Sequence, residues 1–89
     1  MLRIEIETTE ALETLRLVGN LRDAAVAEVA WHLERSGPAR RLDLSELKVV
    51  DLTAVRALVD WEERGVEIHA CPLYVQEWMR RERQRRGAG

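Results

Sequence analysis

The chain has 89 residues, 46% of them hydrophobic and 34% charged, a balance that fits one domain over residues 1–89 with a modest core. Its 14 basic and 16 acidic side chains leave a net charge of −2, which provides no overall attraction to nucleic acid or an anionic membrane. A single cysteine excludes an internal disulfide framework and suits a reducing compartment. No apolar run approaches the roughly 20 residues that cross a bilayer. The start, Met1-Leu2-Arg3-Ile4-Glu5, alternates where a signal peptide would be continuously apolar, and a cytoplasmic protein is expected.

In chain order, Leu2, Ile4 and Ile6 alternate with Arg3, Glu5 and Glu7, the period of a strand with one buried face. Thr8 to Ala11 reads as a polar turn, and a second strand at about Glu13 to Val18 turns Leu15 and Leu17 inward. The short connection predicts an antiparallel pair, ended by Gly19 and Asn20. From Asp23 to Arg35, Val26, Val29, Ala30 and Leu33 form one helical stripe, closed by Ser36-Gly37-Pro38. Trp31 lies off that stripe and reads either as an exposed contact site or, the favoured reading, as an indole lying over a neighbouring strand or loop.

A third strand spans Arg41 to Leu44, after which Leu47, Val49 and Val50 read as a buried turn. The second helix runs from Leu52 to Arg64 and stops at Gly65, with Leu52, Val55, Leu58 and Val59 inward. Stepping about 100 degrees per residue puts Thr53, Ala57, Asp60 and Arg64 on the opposite side, bordered by Trp61. This face reads either as solvated or as the seat of a partner helix or loop. Val66, Ile68 and Ala70 alternate with Glu67, His69 and Cys71 in a fourth strand, and Pro72 suits the start of a third helix carrying Leu73, Val75, Trp78 and Met79. Residues 83–89 read as a fraying tail. The result is an α/β layer: a mixed sheet of about four strands and about three helices, which cover one face more fully.

The stretch from Leu42 to Leu58 holds the chemistry. Asp51 can cap the second helix, leaving the Thr53 hydroxyl in the first turn, where unpaired amides and about half a positive charge favour an anion. A phosphoryl group there would add roughly −1.5 to −2 charge, favoured by the helix end and opposed by Asp51. The same residues also read as a plain cap followed by an ordinary first-turn threonine.

Asp43-Leu44-Ser45, followed by Asp51-Leu52-Thr53-Ala54-Val55 and Leu58, resembles the central signature of the STAS domain, the fold of anti-sigma factor antagonists. Upstream, Leu17-Val18-Gly19-Asn20-Leu21 with Ala25 and Leu33 is similar to the family's strand, glycine and first helix. The chain departs from the pattern at Leu52, in place of a hydroxyl residue, at Ala54, in place of glycine, and at Arg22, where an aspartate is common. The resemblance implies a non-enzymatic module without cofactors that binds an anti-sigma factor with serine-protein kinase activity and is phosphorylated at Thr53. Asp51, Thr53, Ala57, Asp60, Trp61 and Arg64 would form the partner surface. Within the same fold the alternative is an accessory subunit gripping the ATPase of a lipid-transporting ABC system, with no phosphate required.

Other chemistry reads weakly. His69 and Cys71 share a strand face, but no spacing completes a metal site. No His or Lys is paired with a nucleophile, and no glycine-rich phosphate loop is present. Arg80, Arg81, Arg83, Arg85 and Arg86 could bind phosphate backbones or lipid headgroups as a nucleic-acid or membrane accessory protein, or simply complement a helix C-terminus, with Glu77 and Glu82 diluting the patch. No nucleic acid and no direct membrane insertion are expected, and Trp31 and Trp78 could support a homodimer.

Overall fold

The second strand is the axis of the architecture. In the computed structural model, which describes residues 1–9, 12–35 and 40–88, β1 (Leu2–Thr9) pairs antiparallel with β2 (Leu12–Leu21), from Leu2 opposite Gly19 to Thr9 opposite Leu12. The chain crosses through α1 (Asp23–Arg35) to β3 (Arg40–Asp43), which runs parallel to the first half of β2. A turn at Ser45 and Glu46 leads into β4 (Leu47–Val50), parallel to the second half of β2. Then α2 (Leu52–Glu63) crosses to β5 (Glu67–His69), parallel to β3, and α3 (Leu73–Ala88) closes the chain. The expected loop closure of α1 at Ser36-Gly37-Pro38, and the end of the first turn, lie outside the described residues.

The mixed sheet therefore has five strands, where the hydrophobic pattern predicts about four. The difference lies in Leu47–Val50, read from sequence as a buried turn. Leu47 and Val50 are buried as expected, but Val49 is exposed and the segment is extended. Two features produce this strand. Gly19 does not end β2; its backbone takes φ +108° and a bulge between Gly19 and Asn20 lets the strand continue to Leu21. The second half of β2 thus offers β4 an edge beyond β3, and the Gly19 amide donates to the Glu46 carbonyl at 3.1 Å. Asp43 makes the turn between β3 and β4 tight: its carboxylate accepts from the Ser45 amide at 2.9 Å and from Arg16 Nε at 3.4 Å. Partial burial pushes the Asp43 carboxyl up, but the Ser45 amide and hydroxyl and the Arg16 guanidinium outweigh it and hold it below the usual value.

Alternation decides which sheet face is covered. Leu15, Leu17, Leu21, Leu42 and Leu44 join Val29 and Leu33 of α1, Val55, Leu58 and Val59 of α2, and Val75 and Met79 of α3 in one core. The opposite face carries ion pairs running from Arg3 to Glu5, from Glu5 to Arg16 and from Arg16 to Asp43, with a further pair between Arg41 and Glu67. Exposed pairs of this kind add little stability, and their main effect is to keep this face wet.

Three expectations need correction. Trp31 does not cover a strand or loop; it is 52% exposed, with the Arg35 guanidinium over its ring at 4.5 Å and His32 edge-on. Leu52 is not inward, and Ala54 is fully buried in its place. Residues 83–88 are helical, because Arg83 and Arg86 pair with Glu62 and Glu63 of α2 at 2.7 and 3.2 Å and hold α3 against it.

Gly19 offers a direct check on the bulge. A Cβ there would meet the Met1 carbonyl oxygen at 2.5 Å, on a backbone of positive φ. We expect Gly19→Ala to destabilise the domain by about 1–3 kcal/mol and to lower the melting temperature by about 4–8 °C per kcal/mol in thermal unfolding followed by circular dichroism. An unchanged melting temperature would contradict this backbone assignment.

Candidate partner-binding site at the start of α2

Helix α2 begins where β4 ends, and Asp51 marks the junction. Its backbone is extended, and its Oδ1 accepts from the Ala54 amide at 2.9 Å, so it is the cap the sequence predicts. Its Oδ2 accepts from the Asp23 amide at 3.1 Å, a bond that no pattern along the chain signals. Asp23 opens α1 behind Arg22, whose carbonyl accepts from Ala25 and Val26 but whose side chain cannot accept. One carboxylate thus serves two helix N-termini. The far end of α2 closes in a Schellman arrangement: the Gly65 amide donates to the Glu62 carbonyl and the Val66 amide to that of Trp61, with Gly65 at φ +100°.

Between these ends, Thr53 and Arg64 are exposed, Ala57 and Asp60 are half-buried, and Asp60 pairs with Arg64 at 3.2 Å. These residues form the open strip of α2 predicted from helical spacing. Trp61 is buried beside it: the indole is only 8% exposed and, with Ala30, Leu33, Val66 and the strip's own Arg64, lines a small cavity of about 150 Å³ at the α1 flank. The helical stripe is wider than its aliphatic residues suggest, because α1 covers one flank while α3 covers the other. On the α3 side Arg56 Nε donates to Glu82 at 3.1 Å, and Glu82 is 4% exposed.

Leu52 is the surface residue that the stripe rule misses. It is 39% exposed and adjoins Thr53. A leucine at the first helical position precedes the regular pattern, so it projects beyond the core, and only its position next to the cap hints at this.

Other candidate residues are dispersed. His69 is exposed at the end of β5, but Ala70 takes φ +54°, so the alternation that would align Cys71 with His69 breaks there. Among the described residues no group of His, Cys, Asp and Glu could hold a metal ion. Cys71 lines an open cleft of about 480 Å³ with Ile68, Met79 and Leu73, and burial, reinforced by Glu62 and opposed by Arg83, pushes its thiol up to about 11. The α3 arginines are largely matched, with Arg80 on Glu77, Arg83 on Glu62, Arg85 on Glu82 and Arg86 on Glu63. Among the described residues no helix is long and apolar enough to cross a membrane.

No protein-family model matches the chain, and no curated protein matches it. Solved structures do match, among them the crystal structure of Mglu in its native form, with a TM-score of 0.55 and 17% identity over 72% of this chain. The chain spans 22% of that protein, and the likeness is one of fold.

Cys71 provides a test of this geometry. With its thiol raised to about 11, alkylation should be slow at neutral pH and should accelerate about tenfold per pH unit towards that value. A rate that levels off near pH 8.5, the value of a free thiol, would contradict the burial of this side chain.

Proposed function

We propose that the chain is a STAS-like regulatory interaction module, an anti-sigma factor antagonist that docks on an anti-sigma factor/kinase through the open strip of α2 and is switched at Thr53. One observation carries this reading: Thr53 stands exposed in the first turn of a capped helix, on the same face as Ala57, Asp60 and the exposed Arg64. The reading is supported by the two motifs that resemble the STAS signature, Asp43-Leu44-Ser45 at a turn and Asp51-Leu52-Thr53 at a helix cap. In this scheme the kinase's bound ATP donates its γ-phosphoryl group. A bond forms from Thr53 Oγ1 to phosphorus, the bond to the ADP oxygen breaks, and the hydroxyl proton passes to a base of the kinase.

The electrostatics give the direction of the switch. Asp60 and Arg64 neutralise one another on the unmodified strip. A phosphoryl group adds roughly −1.5 to −2 charge beside Asp51, within reach of the free amides of the first turn. The helix end tolerates it in water, but docking would bury an uncompensated charge, so the modified form is released.

A second reading within the same fold rests on Leu52. Its exposure supplies an apolar contact next to Thr53 that needs no phosphate, which favours an accessory subunit on the ATPase of a lipid-transport ABC system. The arginine-rich end of α3 gives less to the nucleic-acid or membrane reading, since Arg80, Arg83, Arg85 and Arg86 are matched by carboxylates.

Tagged protein recovered from its native lysate, with mass spectrometry of both the captured proteins and the Thr53 peptide, separates the two. A sigma-regulating kinase and a phosphate on Thr53 are expected. Thr53→Ala should keep binding and lose the label, and Thr53→Glu should weaken binding by about tenfold, equivalent to 1.4 kcal/mol. An ABC ATPase captured with unmodified Thr53, or equal labelling of Thr53→Ala, would overturn the switch.

A further inference from the structure

Strand β1 forms one border of the sheet, and among the described residues nothing pairs with its outer edge. It is an unusual edge. The strand runs unbroken from Leu2 to Thr9, holds register with β2 throughout, and contains no proline, glycine or lysine. Edges are commonly blunted by proline, a bulge or charged side chains, and the only such residues here, Arg3, Glu5 and Glu7, all lie on the wet face of the sheet. The side chain of Ile6 is 52% exposed on the core side of this border, opposite the fully buried Leu15. We propose that this edge is a dimer interface, on which the β1 of a second copy of the chain adds as an antiparallel strand and makes one sheet continuous across a twofold axis.

The register follows from two constraints. The Asn20 amide donates to the Met1 carbonyl at 3.1 Å, so Met1, Arg3, Glu5 and Glu7 direct their backbone groups towards β2. Leu2, Ile4, Ile6 and Thr8 therefore present theirs to the open edge, and only these residues can form hydrogen-bonded pairs with the second copy. The charges then choose among the allowed alignments. Pairing Leu2 with Ile4 puts Arg3 against Arg3. Pairing Ile4 with Ile6 puts Glu5 against Glu5, and pairing Ile6 with Ile6 puts Glu5 against Glu7. Centring the axis on Ile4 avoids every like-charge pair: Arg3 faces Glu5 twice, and Leu2 faces Ile6 twice across the core side. The strand is self-complementary in this one alignment, as a twofold interface requires. None of its residues lies on α2, so the interface is independent of the Thr53 reading.

Charge reversal tests it by sedimentation equilibrium, with circular dichroism melts confirming that each variant is folded. The wild-type chain should show a concentration-dependent mass reaching twice 10.3 kDa. Arg3→Glu and Glu5→Arg should each raise the dissociation constant by about tenfold or more, because each creates two like-charge pairs. An equimolar mixture of the two variants should restore the dimer, since each then meets its complement. A wild-type chain that stays monomeric into the millimolar range overturns the proposal, as does a dimer that both substitutions leave intact or a mixture that fails to recover. An unaffected dimer would place the contact on another face, such as that of Trp31.

Discussion

The carboxylate of Asp51 holds together the two helices on which everything else on the helical layer depends. One oxygen accepts from Ala54 in the first turn of α2, the other from Asp23 at the start of α1. Each helix end carries about half a positive charge, so a single negative group satisfies two electropositive termini at once. Helix α1 cannot do this for itself, because the residue before it is Arg22, a donor with no acceptor in its side chain. A cap contributes about 1 kcal/mol, and here the larger consequence is geometric. The starts of α1 and α2 are brought together at the end of the sheet where β2 and β4 finish, which sets the position of Thr53.

The remaining surface of α2 is then assigned by exclusion. Trp61 is buried at the α1 flank, and the pairs from Arg56, Glu62 and Glu63 to Glu82, Arg83 and Arg86 lay α3 over the other. The two exposed pairs are each worth about 0–1 kcal/mol, but Glu82 differs, because removing Arg56 would leave a charge that is only 4% exposed without its nearest partner. What stays open is Thr53, Ala57, Asp60 and Arg64, with Leu52 at the head. Beneath, β2 organises the sheet through contacts along its full length, and its bulge at Gly19 is what lets β3 and β4 share one edge.

Much of this was legible along the chain. Period-two alternation located β1 and the core face of β2, and the cap and glycine signals bracketed α2 to within one residue. These are local rules, and they work where local geometry decides. They failed where a distant partner decides. β4 exists because β2 continues beyond Gly19, which depends on a backbone conformation that a strand-ending glycine and a bulge glycine share in sequence. Trp61 lies at the margin of its helical stripe, so whether it faces solvent depends on where α1 packs. The second bond of Asp51 spans 28 residues, and no spacing rule reaches that far. The end of α3 looked like a free charged tail because its carboxylate partners sit on another helix. Thr53 was legible as a position, since a capped first turn fixes it.

The amide protons of Asp23 and Ala54 report on the clamp directly. Their chemical shifts and exchange rates, measured by nuclear magnetic resonance in the wild type, Asp51→Ala and Asp51→Asn, distinguish one bond from two. With alanine, both amides should lose protection and shift upfield while the core amides of Leu15 and Leu42 keep theirs. With asparagine, whose side chain has one acceptor oxygen, only one of the two should be retained. An Asp23 amide unaffected by Asp51→Ala would contradict the claim that this carboxylate joins the two helices.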